Sequence, residues 1–502
     1  MPRNTIRVRR SSSPDSLFAP SFPARVWRFL TGGESWTYYH FSVFFITFFS
    51  FAFIHATRKT LSTVKPTMIQ NWIHNRSSTE PPLFPSEEAA KEFMAFLDFG
   101  FLFAYAIGLF FGGILGDRYN PRLVLAIGMW LAAISAFFFG FVSERYHIYN
   151  TYFYAFFWIG SGLFQSVAWP TEVAVMGNWF GHASRGIVMG FWSGCASVGN
   201  IIGTLITSRI IVLGYEWAFA VNSFILFIFG FVVYWHLVPS PRDVGLPEPA
   251  ESPDERNRVI EEAADRPAPI SFWKAWLLPG VIPYSLAYAG LKLVNYGFFF
   301  WLPTYLLNEF QWSIEEADAL STWYDVGGIL AAIVAGAVSD HFSTRTPIVM
   351  TMLGCGIISL LAYSRSPANY CINGALLTIT GFFVGGPANM ISGAISADLG
   401  KSRELRGNIA ALSTVTGIID GTGSVGAALG QLVIPSIELW FGWVVIFYCF
   451  VFMLILTMLC ISPLLWREIQ AWRLARAERH VAGEQEGLLF EDYDENGHLH
   501  HA

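Results

Sequence analysis

Runs of about 20 apolar residues recur along the whole chain, and this recurrence restricts the fold more than any other feature. Such a run, as a helix, is long enough to cross about 30 Å of hydrocarbon. Twelve of these runs are found, six on each side of a charged, Pro-rich stretch. Charged residues make up only 14% of the chain, whereas a typical soluble domain has about 25%. The sequence therefore predicts an all-α membrane protein with 12 transmembrane helices.

The predicted spans divide the chain into five parts. These are an N-terminal tail (1–37), a six-helix bundle (38–238), a linker (239–271), a second six-helix bundle (272–465) and a C-terminal tail (466–502). The linker is rich in Pro and charged residues, which predicts a solvated segment. The spans are predicted at 38–64, 94–115, 122–143, 150–174, 186–210 and 216–238, and at 276–305, 319–339, 346–364, 372–396, 407–433 and 440–465.

A short motif occurs once in each half, directly after the second span of that half. The spacing G-x3-D-x4-R is formed by Gly113, Asp117 and Arg122 in GGILGDRYNPR and by Gly336, Asp340 and Arg345 in GAVSDHFSTR. Arg-Gly pairs, Arg185-Gly186 and Arg406-Gly407, also open the fifth span of each half. Repeats at a nearly constant offset predict two pseudo-symmetric bundles. We expect the charged motif residues to form ion pairs that break and re-form during gating, namely Asp117, Arg118, Arg122, Asp340 and Arg345.

The distribution of positive charge predicts the orientation. Most of the 31 Lys and Arg residues fall on one side of the membrane when both termini and the linker are cytoplasmic. This orientation places the N-x-S sequon at Asn75 in the first non-cytoplasmic loop, where it can be glycosylated. In the C-terminal tail, EQEGLLFED matches an acidic dileucine sorting signal, with Glu484, Leu488 and Leu489. The sequence thus predicts a multi-pass intracellular protein of the lysosomal or endosomal membrane, or of the endoplasmic reticulum.

Three cations lie toward the end of the first span, in FFSFAFIHATRKTLSTVKP. Each Arg or Lys near a helix centre costs about 2.5 to 3.5 kcal/mol by insertion scales, so such residues line a cavity or pair with other groups. Arg58 and Lys65 are seven residues apart and share a helix face, whereas Arg58 and Lys59 do not. We therefore expect Arg58 to be the principal anion ligand and Lys59 a secondary or structural partner.

A polar stripe in the seventh span contains a further cation, Lys292. At helical spacing it shares one face with Ser285, Tyr288, Asn295 and Tyr296, and such a face needs a wet or protein-lined surface. In the alternative reading, a buried carboxylate neutralises Lys292, and Asp325 and Asp420 are the available partners.

Several stretches resemble one family closely. FIHATRKTLSTVKP, GLFQSVAWP, LAYAGLKLVNYGFFFWLP, WYDVGG and GFFVGGPANMISGAISADLG are similar to the sugar phosphate exchangers, which are organophosphate:phosphate antiporters of the major facilitator superfamily. The resemblance covers about residues 38 to 470. It implies alternating access through a basic central cavity between the two bundles.

The resemblance also implies site residues. Arg58, Lys59 and Lys292 correspond to the family's cavity cations, and Tyr105 and Trp169 to its aromatic positions. Tyr288 and Asn295 join them as candidate substrate-binding residues. This chain departs from the family where a second-helix Lys is replaced by Leu109 and a fifth-helix His by Cys195 or Ala196. The cavity is therefore predicted to be less basic than in related exchangers.

The predicted function is secondary active transport of phosphorylated organic anions, either sugar phosphates or related phosphate and phosphonate compounds, in exchange for inorganic phosphate. Two alternatives stay open: a proton- or gradient-coupled anion exporter of the endolysosome, and a non-transporting receptor or scaffold. The expected partners are the phosphorylated anion, inorganic phosphate, the lipid bilayer and a possible accessory membrane subunit, with no nucleic acid at a net charge of -6. The five cysteines lie in or beside apolar runs without metal-ligand spacing, so no metal site is predicted. No sequence pattern predicts catalytic residues or a cofactor.

Overall fold

The computed structural model describes residues 36–73, 82–180, 185–247, 271–339, 345–400 and 412–491, and only the backbone of residues 185–187 and 475–491. Within these ranges the chain is helical and has no β-strand. We number its long helical passes α1 to α12. The first half contains α1 (Tyr38–Ile73), α2 (Glu87–Arg118), α3 (Pro121–Phe137, continued through a π-helical turn to Arg145), α4 (Thr151–Gln165 and Ala168–Trp179), α5 (Arg185–Ser193 and Cys195–Ile210) and α6 (Tyr215–His236).

The second half repeats this arrangement after a short helix, Phe272–Trp276. Two helices of the second half differ from a regular α-helix of the predicted length. One continues through a π-helical turn (Met390–Ile395) to Gly400, and the last extends well beyond the apolar run that predicted it. The passes are α7 (Val281–Phe310), α8 (Ile314–Ser339), α9 (Thr346–Tyr363), α10 (Tyr370–Asn389 and its continuation), α11 (Leu412–Phe441) and α12 (Trp443–Glu491).

Asparagine residues mark where three helices begin. Asn120, Asn150 and Asn369 precede α3, α4 and α10, and each side-chain oxygen accepts a hydrogen bond from a backbone N–H two or three residues later. These bonds satisfy donors that have no partner inside the helix. The short loops therefore end at defined residues.

Ten helices in the described ranges are long and apolar enough to cross a membrane. The other two predicted spans are helical, but α4 is broken near Ser166 and Val167 into pieces of 15 and 12 residues. In α7 the polar stripe around Lys292 lowers the mean hydropathy of a 30-residue helix. Both exceptions contribute residues to the cavity described below.

The first span is longer than predicted. The span was predicted over 38–64, which includes Arg58 and Lys59 and stops just before Lys65, yet α1 continues to Ile73. As a result Arg58, Lys59 and Lys65 lie within the helix, and all three are buried. The helix can continue past these cations because each of them has hydrogen-bonding partners inside the bundle.

Glycine allows equivalent helix pairs to approach closely in the two halves. A Cβ atom at Gly199 of α5 would lie 2.2 Å from the carbonyl oxygen of Ala52 in α1. In the second half, a Cβ atom at Gly426 of α11 would lie 2.4 Å from the carbonyl oxygen of Ala289 in α7. The first and fifth helices of each half thus pack backbone to backbone, as small residues permit in membranes.

The two halves meet at both ends of the molecule. We call the end where α6 finishes and α7 begins the linker end, and the opposite end the loop end. At the linker end, Gly113 of α2 packs on the backbone of Ser413 in α11, and Gly190 of α5 packs on that of Ala332 in α8. At the loop end, side chains of α1 donate to backbone carbonyls of α7. A space remains between these contacts, midway along the helices.

Candidate functional site

A cavity of about 110 Å³ lies between the two halves. Helices α1, α2, α4 and α5 supply one wall, and α7, α8, α10 and α11 the other. Aromatic side chains form much of the surface, and a few polar and charged groups converge on it, which is typical of binding sites for small molecules. The polar, charged and aromatic wall residues include His55, Lys59, Tyr105, Trp169, Ser197, Asn200, Tyr288, Lys292, Asn295, Tyr296, Tyr324, Asp325, Ser392 and Asp420.

Lys292 reaches the cavity from α7 and is held by α11. Its Nζ lies 2.7 Å from Oδ1 of Asp420 and 2.8 Å from Oγ of Ser424. The rings of Tyr105, Tyr288 and Tyr296 lie about it, with centroids 5.4 to 5.5 Å from Nζ. Of the two carboxylates considered as partners from the sequence, the structure pairs Asp420 with Lys292. Asp325 instead lies near Asn200.

Lys59 reaches the cavity from α1. Its Nζ donates to the carbonyl oxygen of Phe299 in α7 at 2.8 Å and lies 3.3 Å from Oγ of Ser62. In the described part of the chain Lys59 makes no ion pair with a carboxylate, in contrast to Lys65 and Lys292. Its positive charge is therefore compensated only by dipoles and by more distant charges.

The carbonyl that holds Lys59 is available because of a proline. In an α-helix the carbonyl of Phe299 would accept a hydrogen bond from the N–H of residue 303, but Pro303 has no N–H. Lys59 and Ser62 donate to this carbonyl, Ser62 at 2.7 Å. We call these two bonds the α1–α7 latch. Pro303 thus creates the acceptor by which α1 holds α7 at the loop end.

Replacing Pro303 by alanine restores an N–H for the Phe299 carbonyl within α7. We expect a latch weaker by about 1 kcal/mol, the net worth of one hydrogen bond, and hence roughly a fivefold larger population of the open loop end. The measurement is the rate at which an impermeant maleimide labels a Leu302→Cys variant, at a cavity-lining position of α7 outside the latch, in which the exposed Cys371 is replaced by serine. Pro435→Ala in α11 is the control, and equal rates in Pro303→Ala and Pro435→Ala would contradict this account of the latch.

Arg58 lies one layer behind the cavity wall. Its Nη1 is 2.5 Å from the hydroxyl of Tyr296, its Nε is 3.1 Å from Oε1 of Gln165, and its guanidinium lies 4.5 Å from the centroid of the Tyr105 ring. Nη2 is buried without a hydrogen-bond partner among the described residues. The sequence favoured Arg58 over Lys59 as the anion ligand, whereas in this conformation Lys59 lines the cavity and Arg58 does not. The side chains of Arg58 and Lys59 point in different directions because consecutive helix residues are about 100° apart.

Three further candidate ligands line the cavity. Trp169 stacks on Trp192 at 4.9 Å between centroids, and its Nε1 donates to the carbonyl oxygen of Ser392 at 3.1 Å. Asn295 accepts a hydrogen bond from the hydroxyl of Tyr324 at 2.7 Å. Tyr288 lies beside Lys292. These groups form an aromatic and amide surface suited to an organic moiety.

A polar chain that sequence reasoning did not identify crosses the cavity wall from one half to the other. His55 of α1 lies 3.0 Å from Oδ1 of Asn200 in α5, and Nδ2 of Asn200 donates to Oδ1 of Asp325 in α8 at 2.7 Å. Because Oδ1 of Asn200 only accepts, Nδ1 of His55 carries the proton of this bond. No local pattern signals the chain, because its members are brought together from three distant helices.

Lys65 is a structural cation in this conformation. Its Nζ lies 2.5 Å from Oδ2 of Asp98 in α2 and 4.2 Å from the ring centroid of Trp301. It also approaches the carbonyl oxygen of Phe300 at 3.3 Å. Asp98 was not singled out in the sequence, although a buried carboxylate in a membrane helix is itself a signal that a cation lies nearby.

The charged motif residues at the linker end make different kinds of contact in the two halves. Asp117 accepts hydrogen bonds from the backbone N–H and the hydroxyl of Thr414 at 3.0 and 2.6 Å, and so holds α2 to α11. Arg345 pairs with Asp398 at 2.7 Å. No ion pair of Asp117, Arg118 or Arg122 occurs in the described ranges, so the predicted network is present there only at Arg345. Asp340 and Asn75 lie outside the described residues, and Glu484, Leu488 and Leu489 fall in the backbone-only part of α12.

Comparison with known proteins places the chain among membrane transporters. The family model of the Major Facilitator Superfamily matches residues 41–416. Sugar phosphate exchanger 3 from Mus musculus is 48% identical over 476 residues, which are 88% of this chain and 96% of that protein. The human protein of the same name is 46% identical and covers 90% of this chain and 97% of its own length. The structure of the proton:xylose symporter XylE matches with a TM-score of 0.65 at 14% identity, over 85% of this chain and 95% of XylE, a likeness of fold alone.

Proposed function

The chain belongs to the major facilitator superfamily and, within it, to the sugar phosphate exchangers, and from this premise we propose that it moves phosphorylated organic anions in exchange for inorganic phosphate. The central cavity is the proposed site, with Lys59 and Lys292 as ligands of the phosphate group. The observation that carries this proposal is Lys59, a buried ammonium group that faces the cavity without an ion-pair partner in the described ranges. A cation without a counter-ion at membrane depth is costly, and residues kept at such positions commonly serve a ligand.

The position of the two lysines supports alternating access. Lys59 belongs to the first half and Lys292 to the second, so an anion between them would contact both halves. Rocking of the halves would then expose it to either side of the membrane in turn. The aromatic wall of Tyr105, Trp169 and Tyr288 would pack against the organic part of the substrate. We assign Arg58 a supporting role, as a fixed positive charge behind Tyr105.

We propose that the linker end faces the cytoplasm, as the distribution of Lys and Arg favours. The proposed location is the lysosomal or endosomal membrane, or the membrane of the endoplasmic reticulum. The proposed function also allows an accessory membrane subunit. The protein would act as a transporter without catalytic activity. Loss of N-glycosylation in an Asn75→Gln variant would support this orientation, and glycosylation engineered into the linker would contradict it.

The proposed function is tested by counterflow. Purified protein in liposomes loaded with phosphate should take up labelled phosphate saturably, and external sugar phosphates should compete whereas the free sugars should not. Competition by simple carboxylates as strong as that by sugar phosphates would favour a different anion carrier. Uptake no faster than in empty liposomes, from folded protein, would contradict the exchange.

A further inference from the structure

The cavity wall carries two carboxylates, Asp325 and Asp420, and they differ in their surroundings. Asp325 is buried in α8, accepts a hydrogen bond from Asn200 and makes no ion pair in the described part of the chain. Asp420, the other carboxylate of the wall, is paired with Lys292 at 2.7 Å. Asp325 is thus a negative charge on the surface of a site that we assign to an anion.

The formal charges of the wall cancel. Lys59 and Lys292 contribute two positive charges, and Asp325 and Asp420 two negative ones. Arg58 adds a positive charge, but it lies behind the wall. A phosphorylated anion would therefore bring negative charge into a surface that is already nearly neutral. Repulsion by Asp325 would be strong, since charges interact more strongly in a medium of low dielectric constant.

A proton on Asp325 removes this repulsion. We propose that Asp325 binds a proton together with the anion, so that the loaded protein carries both across the membrane. The inference rests on the proposed function and adds the coupling ion to it. In the step, a carboxylate oxygen of Asp325 takes a proton from a hydronium ion on the side to which the cavity is open, which leaves a water molecule there. When the cavity opens to the other side, the new O–H bond breaks and the proton passes to water on that side. Lys59, freed of its more distant attraction to this carboxylate, then interacts with the phosphate group.

The surroundings of Asp325 fit this role. From α1 it faces Lys59 and, through Asn200, His55; Lys59 is the cation that acts on it most strongly. Helix α5 adds Asn200 and Ser197, which are neutral. Among the residues that face the cavity, α7 contributes Lys292, which is paired with Asp420 of α11, and the uncharged Tyr288, Asn295 and Tyr296. Helix α10 contributes no charged residue to the cavity, and Asn389 is its longest polar side chain there. On α8 itself, Tyr324 is the neighbour, and the carboxylate of Asp318 lies two turns earlier, away from the cavity wall.

The test is the apparent affinity for labelled phosphate in counterflow as a function of pH. Over pH about 5.5 to 7.5, the affinity of the wild type should fall as pH rises, by up to about tenfold per pH unit for one linked proton. Phosphate itself titrates in this range, so the informative quantity is the difference between variants. Asp325→Asn, a neutral isostere, should lose most of the slope, and Asp318→Asn should keep it. His55→Gln should also keep it.

Asn200→Leu provides a second route if Asp325→Asn does not fold. This variant removes the donor that favours the charged carboxylate, so the midpoint of the pH profile should move to higher pH. An unchanged slope in Asp325→Asn, loss of the slope in His55→Gln, or an unshifted midpoint in Asn200→Leu would overturn the inference while phosphate exchange stands. Absence of exchange by the wild type would contradict the proposed function itself, and the inference would fall with it.

Discussion

Replacing Lys59 by glutamine will reduce phosphate exchange by roughly 10- to 100-fold while leaving the protein folded. The amide keeps a donor for the carbonyl of Phe299 but removes the positive charge from the cavity wall. A hydrogen bond to a charged group contributes about 1.5 to 3 kcal/mol, which corresponds to this range of rates. The measurement is the initial rate of counterflow in liposomes that contain equal amounts of protein.

Two matched variants interpret the result. Lys91→Gln removes an ammonium that is partly exposed and pairs with Glu87 on the surface of α2, so the rate should not change. Lys59→Arg keeps the charge and should retain part of the activity. Wild-type rates in Lys59→Gln, or an equal loss in Lys91→Gln, would remove Lys59 from the proposed site.

The pair of Lys292 and Asp420 predicts an effect on stability that is separable from transport. Lys292→Met leaves Asp420 as a buried carboxylate without its cation, and Asp420→Asn leaves Lys292 without its anion. Breaking a buried pair in this way costs about 3 to 5 kcal/mol, whereas replacing both members is often nearly neutral. We therefore expect both single variants to melt well below the wild type in detergent and the double variant to recover most of the loss.

Transport should not recover in the double variant, because it lacks one of the two cations of the cavity wall. Melting temperature and counterflow rate, measured on the same preparations, separate the two roles. Single variants that melt like the wild type would show that the pair is not a stabilising contact. A double variant that exchanges phosphate at the wild-type rate would remove Lys292 from the proposed site.

Much of the fold follows from the sequence for a simple reason. Backbone groups in a bilayer must be satisfied within a helix, so hydropathy locates the spans and the repeated motif identifies the two halves. The first and last residues of individual helices are harder to predict from the sequence. The apolar run predicted an end for the first span at residue 64, yet α1 continues to Ile73. It can do so because Asp98 and a carbonyl of α7 satisfy Lys65.

The site was only partly predictable, because spacing along one helix does not reveal its rotation against another. Lys59 and Lys292 were recognised as candidates, but the position of Lys59 on the wall depends on where α7 lies and on the carbonyl that Pro303 leaves free. The partners Gln165, Asn200 and Asp98 come from other helices. A more useful sequence signal is any polar or charged residue inside a predicted span, because each such residue implies a partner on another helix.

The most direct test of the account is a structure of the protein with a hexose phosphate bound, determined by electron cryo-microscopy in lipid nanodiscs. We predict that the phosphate group lies between the halves, within about 2.7 to 3.2 Å of the Nζ atoms of both Lys59 and Lys292, with the sugar against the aromatic wall. A phosphate group bound elsewhere, with Lys59 still donating to the carbonyl of Phe299 and the cavity occupied only by water, would contradict the assignment of this cavity as the transport site.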